Sequence, residues 1–266
     1  MYIQLTYVHA LTREWKLLLF LSILCLPYYS IAQVESKNSF TADIGIRGRW
    51  QTGNLNQLGL IPNANLQLKR EKYSLQIRSK YQYLKVDGFN AINDFWTFSH
   101  FKLHPEKKIH PLFVTYYGYA KSYRIAHSFY SGLGLGINLR QKSKMDFIEI
   151  GFSTGFMNFQ FEQRHAHKST SLGFIFETSY PLGEKLFISN DLKSYHSIQK
   201  SAYWGASNQL TLHLQLKKNM DFNISQEIVF NNENAEGIKK LNTLLLFGIQ
   251  YRFKTDQKNL NLLQKP

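Results

Sequence analysis

Cysteine is all but missing from this chain. The one thiol, Cys25, sits in an apolar stretch near the N-terminus. That stretch reads as a secretory signal over residues 1–32. Arg13 and Lys16 supply its positive part, Leu17 to Leu26 its apolar part, and Ser30 and Ala32 the small residues before a cut at Gln33. The apolar part is well short of the ~20 residues a membrane helix needs. Leu24 stands where a lipidated cysteine needs a small neighbour, so no lipid anchor is expected. With the signal removed, disulfides, thiolate zinc sites and cysteine nucleophiles are excluded.

Long apolar runs are also lacking after the signal, which excludes membrane helices. Helical periodicity is lacking too. Proline is scarce, with 6 residues in 266. Acidic residues are few: 18 Asp and Glu stand against 32 Lys and Arg, a net charge of +14. Such a surplus often marks a nucleic-acid binder. Here the charges are scattered through alternating segments and short turns, so no nucleic-acid partner is expected.

Aromatic residues and a period of two are what the chain has instead. Phe and Tyr number 20 and 16. Leu241, Thr243, Leu245, Phe247, Ile249, Tyr251 and Phe253 alternate with Asn242, Gly248, Gln250 and Arg252. Leu210, Leu212, Leu214 and Leu216 alternate with Gln209, Thr211, His213 and Gln215. Successive side chains of a strand point to opposite faces, so each segment has one apolar and one polar face. A sandwich or a transmembrane barrel would both suit this pattern. Segments of about ten residues match a tilted strand crossing a bilayer. Aromatic residues near segment ends, such as Tyr73, Tyr81, Trp50, Tyr180 and Phe230, suit an interfacial girdle.

The expected fold is therefore all-β: a transmembrane antiparallel barrel over residues 33–253, with a polar tail over 254–266. Strands are placed at 39–53, 58–69, 72–86, 95–104, 111–121, 129–140, 146–159, 171–180, 185–195, 203–216, 221–230 and 240–253. Twelve is an even number, so both ends emerge on one side. Connections after even strands are tight and those after odd strands mostly longer, as with periplasmic turns and outer loops. Unpaired backbone cannot survive in lipid, so the first strand must pair with the last.

Three segments carry a family likeness. The turn Gly48-Arg49-Trp50-Gln51-Thr52-Gly53-Asn54-Leu55-Asn56, the strand Gly132-Leu133-Gly134-Leu135-Gly136, and the stretch from Gly237 through Asn242-Thr243 to Phe253 occur in order. They resemble the salt-induced outer-membrane protein family, a domain of unknown function. Leu55 and Asn242 depart from its usual Thr and Asp. The resemblance implies a barrel in the bacterial outer membrane with an envelope-stress role. Its partners would be outer-membrane lipid and the barrel-assembly machinery.

Chemistry is sparse. The glycines at 132, 134 and 136 share one strand face and lack the strand-to-helix turn of a dinucleotide fingerprint, so they read as a smooth inner wall. His165 and His167, near Glu162 and Arg164, offer a metal pair without a third ligand. Ser194, His196 and Ser197 raise a barrel lipase, without the compact motif such enzymes carry. Neither a cofactor nor an enzyme is expected.

The lumen is the remaining candidate site. If the apolar faces meet lipid, the inward cations include Arg47, Arg49, Lys69, Arg78, Lys80, Lys102, Arg140, Lys193 and Arg252. Asp43, Glu149, Glu177, Asp191, Asp221 and Glu227 oppose them. They would pair across strands and leave a narrow solvated lumen, or form a weakly anion-favouring pore for a small anionic solute. The segments 111–121 and 185–195 leave open which way Val114, Tyr116, Phe187 and Asp191 face.

Overall fold

A computed structural model describes residues 38–51, 57–86, 89–143, 145–162, 166–199, 204–232 and 240–256. The expected signal, with Cys25, lies outside them, as do residues 257–266.

Twelve antiparallel strands form the structure. They are β1 (Ser39–Gln51), β2 (Gln57–Lys69), β3 (Tyr73–Val86), β4 (Phe89–Leu103), β5 (Ile109–Ala120), β6 (Ile125–Ser143), β7 (Asp146–Phe161), β8 (His167–Pro181), β9 (Leu186–Ser197), β10 (Trp204–Lys217), β11 (Met220–Asn231) and β12 (Leu241–Asp256). Each pairs with its sequence neighbours, and β1 closes on β12. Asp43 sits opposite Arg252 and Ile46 opposite Ile249 across that seam. Closure leaves no open sheet edge, which rules out the sandwich.

The strands run further than the sequence pattern suggests, from 12 residues in β5 to 19 in β6. A tilted strand needs only ~9–11 to cross a bilayer. The surplus takes over segments expected to be loops. β4 begins at Phe89 rather than 95, β6 at Ile125 rather than 129, and β7 and β8 run to Phe161 and from His167. The expected contrast of short and long connections is correspondingly weaker: β3 ends at Val86 and β4 starts at Phe89. These extensions carry polar residues on both faces, so alternation fades while backbone pairing continues. At the other end Lys254–Asp256 still pair with Ser39–Thr41, so three residues of the expected tail belong to β12.

Alternation sorts the faces. Ile44, Ile46, Leu133, Leu135, Phe152, Leu172, Leu245, Phe247 and Ile249 are exposed on the outside. Thr41, Asp43 and Arg47, with the same spacing on β1, are buried inside. Exposed apolar side chains on this scale would be costly in water and are at home against lipid. Aromatic pairs mark both rims: Tyr73 with Phe101 and Tyr251 with Phe253 at one end, Phe95 with Tyr119 and Trp204 with Phe230 at the other.

The segment between β5 and β6 folds into a 3-10 turn, Lys121–Tyr123. It ends at Arg124 with φ 52, in the left-handed region. The buried carboxylate of Asp94 fixes it by accepting from the Ser122 backbone N–H at 3.1 Å and from the Ser122 hydroxyl. That capture aims Tyr123 into the barrel.

Candidate functional site: the barrel lumen

The inner wall carries two unlike groups of side chains. One is an apolar cluster on β4 to β8: Phe98, Leu112, Val114, Tyr130, Met157, Phe159 and Ile175 pack together, with Trp96, Tyr116, Tyr123 and Tyr195 against them. Trp96 stacks on Tyr116 at 5.3 Å, and Tyr116 meets Tyr195 of β9 at 5.9 Å. Val114 and Tyr116, undecided from sequence, therefore face inward, as do Phe187 and Asp191 at the cavity. The glycines of β6 belong with this cluster. A Cβ on Gly136 would lie 2.3 Å from the His110 ring, and one on Gly132 2.4 Å from the Tyr130 hydroxyl. What approaches the smooth wall is thus the protein's own side chains.

The other group is charged, and it draws on some of the same strands. Arg78 of β3 donates to Glu177 of β8 and to Asp191 of β9. Lys80, two residues on, pairs with Glu227 of β11, and Lys102 of β4 with Glu149 of β7. These partners are not neighbours in the sheet, so their ion pairs span the lumen. Others tie adjacent strands. Arg252 Nε lies 2.9 Å from Asp43 Oδ1 and its Nη2 3.1 Å from Asp221 Oδ2. Arg140 Nη2 of β6 donates to Asp146 of β7 at 2.8 Å, whereas Lys193 donates at 2.5 Å to Asp191 two residues away on its own strand, β9. Phe98 lies under both Arg78 and Lys193, at 5.4 and 4.2 Å from its ring centre. The apolar cluster thus backs the charged group, and the desolvated cations gain from the ring face.

Two buried histidines join the lattice. His100 lies 3.8 Å from each of Glu149 and Glu177, and His110 lies 3.3 Å from Glu149. Neither was singled out from sequence. Their place on the same face as Lys102 and Leu112 was the available signal. Among the described residues no cluster of three or more His, Cys, Asp or Glu has the geometry to hold a metal ion.

A cavity of about 370 Å³ remains beside the lattice. Asn63, Asn65, Gln76, Ser207, Gln209 and Thr211 contribute polar groups to it, and Arg47 and Lys80 line it as well. The Ser189 hydroxyl lies there 2.8 Å from His213 Nε2. A nucleophile needs oxyanion donors beside it. Here the surrounding backbone runs through paired strands, with Ser189 opposite both Thr211 and Ser179.

The sequence candidates fall as follows. Arg47, Arg78, Lys80, Lys193, Arg252, Glu149 and Glu177 all point into the barrel, buried or half-buried. Arg140 does not: a bulge between Asn138 and Arg140 sets it opposite the outward Ile148, and its guanidinium lies over the Tyr180 ring at 5.4 Å. The Arg49 side chain lies outside the described residues, as do His165 and Arg164. His167 reaches Ser197 at 3.5 Å. His196 and Ser197 are consecutive on β9 and so face opposite sides, which separates that Ser and His.

A closed twelve-stranded barrel with an apolar, aromatic-rimmed outside and a charged inside has the architecture of bacterial outer-membrane β-barrels. The chain belongs to the family described as protein of unknown function, DUF481, whose model matches residues 44–253. Among solved structures it is similar to the NanC porin, at 9% identity and a TM-score of 0.50, over 78% of this chain and 98% of that one. It is also similar to the translocator domain of the autotransporter NalP from Neisseria meningitidis, at 11% identity and a TM-score of 0.43, over 95% and 99% of the two chains. The KdgM porin matches at 10% identity and a TM-score of 0.39, over 81% and 99%. No curated protein matches the sequence.

Proposed function

We propose that the protein is a narrow outer-membrane channel for small polar solutes, constricted by the ion-pair lattice around Arg78. The observation that carries this reading is the Arg78 bridge from β3 to Glu177 and Asp191, with a polar cavity left beside it. A sealed structural barrel has no need of a cavity lined by amides and hydroxyls. A wide pore has no side chains tying opposite walls together. At about twelve strands the interior is small enough for such ties to set the bore. Most lumen cations have carboxylate partners, which argues against a strongly anion-selective ring. The printed name of one similar structure, the NanC porin, agrees with a channel.

The reading includes the outer membrane as its site, with insertion by the barrel-assembly machinery and the short-turn end in the periplasm. It is non-enzymatic. The envelope-stress role implied by the salt-induced family resemblance fits a lumen tied by partly solvated ion pairs, because salt weakens these by screening. Planar-bilayer recording tests the proposal. The wild-type barrel should give small unitary steps, and Arg78→Ala larger ones. If neither conducts, the channel reading is lost.

A further inference from the structure

Arg47 differs from the other cations of the lumen. Arg78, Lys80, Lys102, Lys193 and Arg252 each have a carboxylate within 4 Å. Arg47, 6% exposed and lining the cavity, has none among the described residues. Its Nε has no hydrogen-bond partner. With its oxygen turned toward the guanidinium, the Gln209 amide accepts from both terminal nitrogens, at 3.2 and 3.3 Å. Glu227 is the acidic group that acts on it, and Glu227 is engaged by Lys80. The described lining carries five Arg and Lys against four Asp and Glu. The cation left over is Arg47.

A guanidinium taken out of bulk water is stable only when its charge is matched. Its planar fork binds the two oxygens of a carboxylate or phosphate side by side. The cavity beside it has the size of a small-molecule site, and its amides and hydroxyls can meet the rest of a polar solute.

We propose that Arg47 and Gln209 form a binding site for one small oxyanion, a carboxylate or phosphate group, inside the barrel. The proposal rests on the reading of the lumen as a solute path and names the chemistry of the solute. Binding and conduction are separate measurements, so each can fail alone.

Calorimetric titration of the detergent-folded full chain with inorganic phosphate, and separately with acetate, tests the site. Choline chloride at matched ionic strength serves as reference. Wild type should saturate with at least one anion and not with the reference. Arg47→Gln should weaken binding roughly tenfold or more, the loss expected of a charge-assisted bidentate contact. Gln209→Glu places a carboxylate beside Arg47 without removing the cation. It should abolish anion binding while the barrel keeps its heat-modifiable gel shift. It also covers the case in which Arg47→Gln does not fold. Absence of saturation in wild type, or wild-type affinity in Gln209→Glu, overturns the site. Current without anion binding removes the site and leaves the channel. Anion binding without current does the reverse.

Discussion

Arg78 on β3 and Glu177 on β8 are 99 residues apart in sequence and joined by a hydrogen-bonded ion pair across the lumen. The same guanidinium holds Asp191 with its other terminal nitrogen. One side chain thus fixes the separation of opposite walls.

Arg78→Ala should therefore be destabilising as well as widening. It leaves Glu177, 5% exposed, without its closest cation. Removing one member of a buried pair costs about 3 kcal/mol. The urea midpoint of the barrel in lipid vesicles should fall accordingly. Adding Glu177→Gln to Arg78→Ala should restore part of the loss, because the stranded charge is gone. Strictly additive losses would mean that the two residues do not interact.

That bridge marks the limit of what the sequence discloses. The twelve strands are readable because alternation is local: each segment reports its own two faces. The inward set follows by parity, which is why Arg78, Glu177 and Arg252 could all be assigned to one side. Which of them meet is set by curvature and stagger, and no segment carries that alone. The apolar cluster of the lumen escaped for another reason. Polar residues inside and apolar ones outside is a rule that hides it, because Phe98 shares a face with Lys102, and Met157 with Glu149. Parity counted from those charged residues would have shown Phe98 and Met157 pointing inward. The strand extensions escaped because paired strands beyond the lipid need no apolar face.

Gly134 should tolerate no side chain, while Gly48 should accept one. A Cβ at Gly134 would stand 1.8 Å from the backbone oxygen of Phe152 on the paired strand β7. Backbone cannot swing away as a side-chain tip can. At Gly48 nothing lies within 4 Å of the added carbon. Gly134→Ala should cost about 1–3 kcal/mol, the range for overpacking, and lower the folded fraction seen by gel shift. Gly48→Ala should leave it unchanged. Equal behaviour of the two variants would count against the close approach of β6 and β7.

Arg252 closes the seam by polar contact as well as by backbone pairing. It reaches Asp43 on β1 and Asp221 on β11, both nearly inaccessible to solvent. Arg252→Leu would leave two carboxylates near each other without their shared cation. Amide exchange should then quicken in β1 and β12 before the rest of the barrel, since local opening follows the weakest pairing. Uniform quickening, or none, would show that the seam is held by the backbone ladder alone.

The outer wall gives the sharpest test of the membrane itself. Leu133, 68% exposed, lies mid-strand on the outside of β6, and Leu245, 57% exposed, lies in the first half of β12, also outside. In water an arginine at either place would be harmless, because an exposed leucine contributes little. Against lipid it must bring a charge into hydrocarbon, at about 2–4 kcal/mol near the bilayer midplane. Leu133→Arg and Leu245→Arg should each lower the unfolding free energy by that amount in vesicles. The outward Thr243, nearer the strand start, should cost less when replaced by arginine, since the penalty falls toward the interface. A flat response across the three positions would sink the placement of this wall in lipid. A graded one would give the depth of each position from its cost.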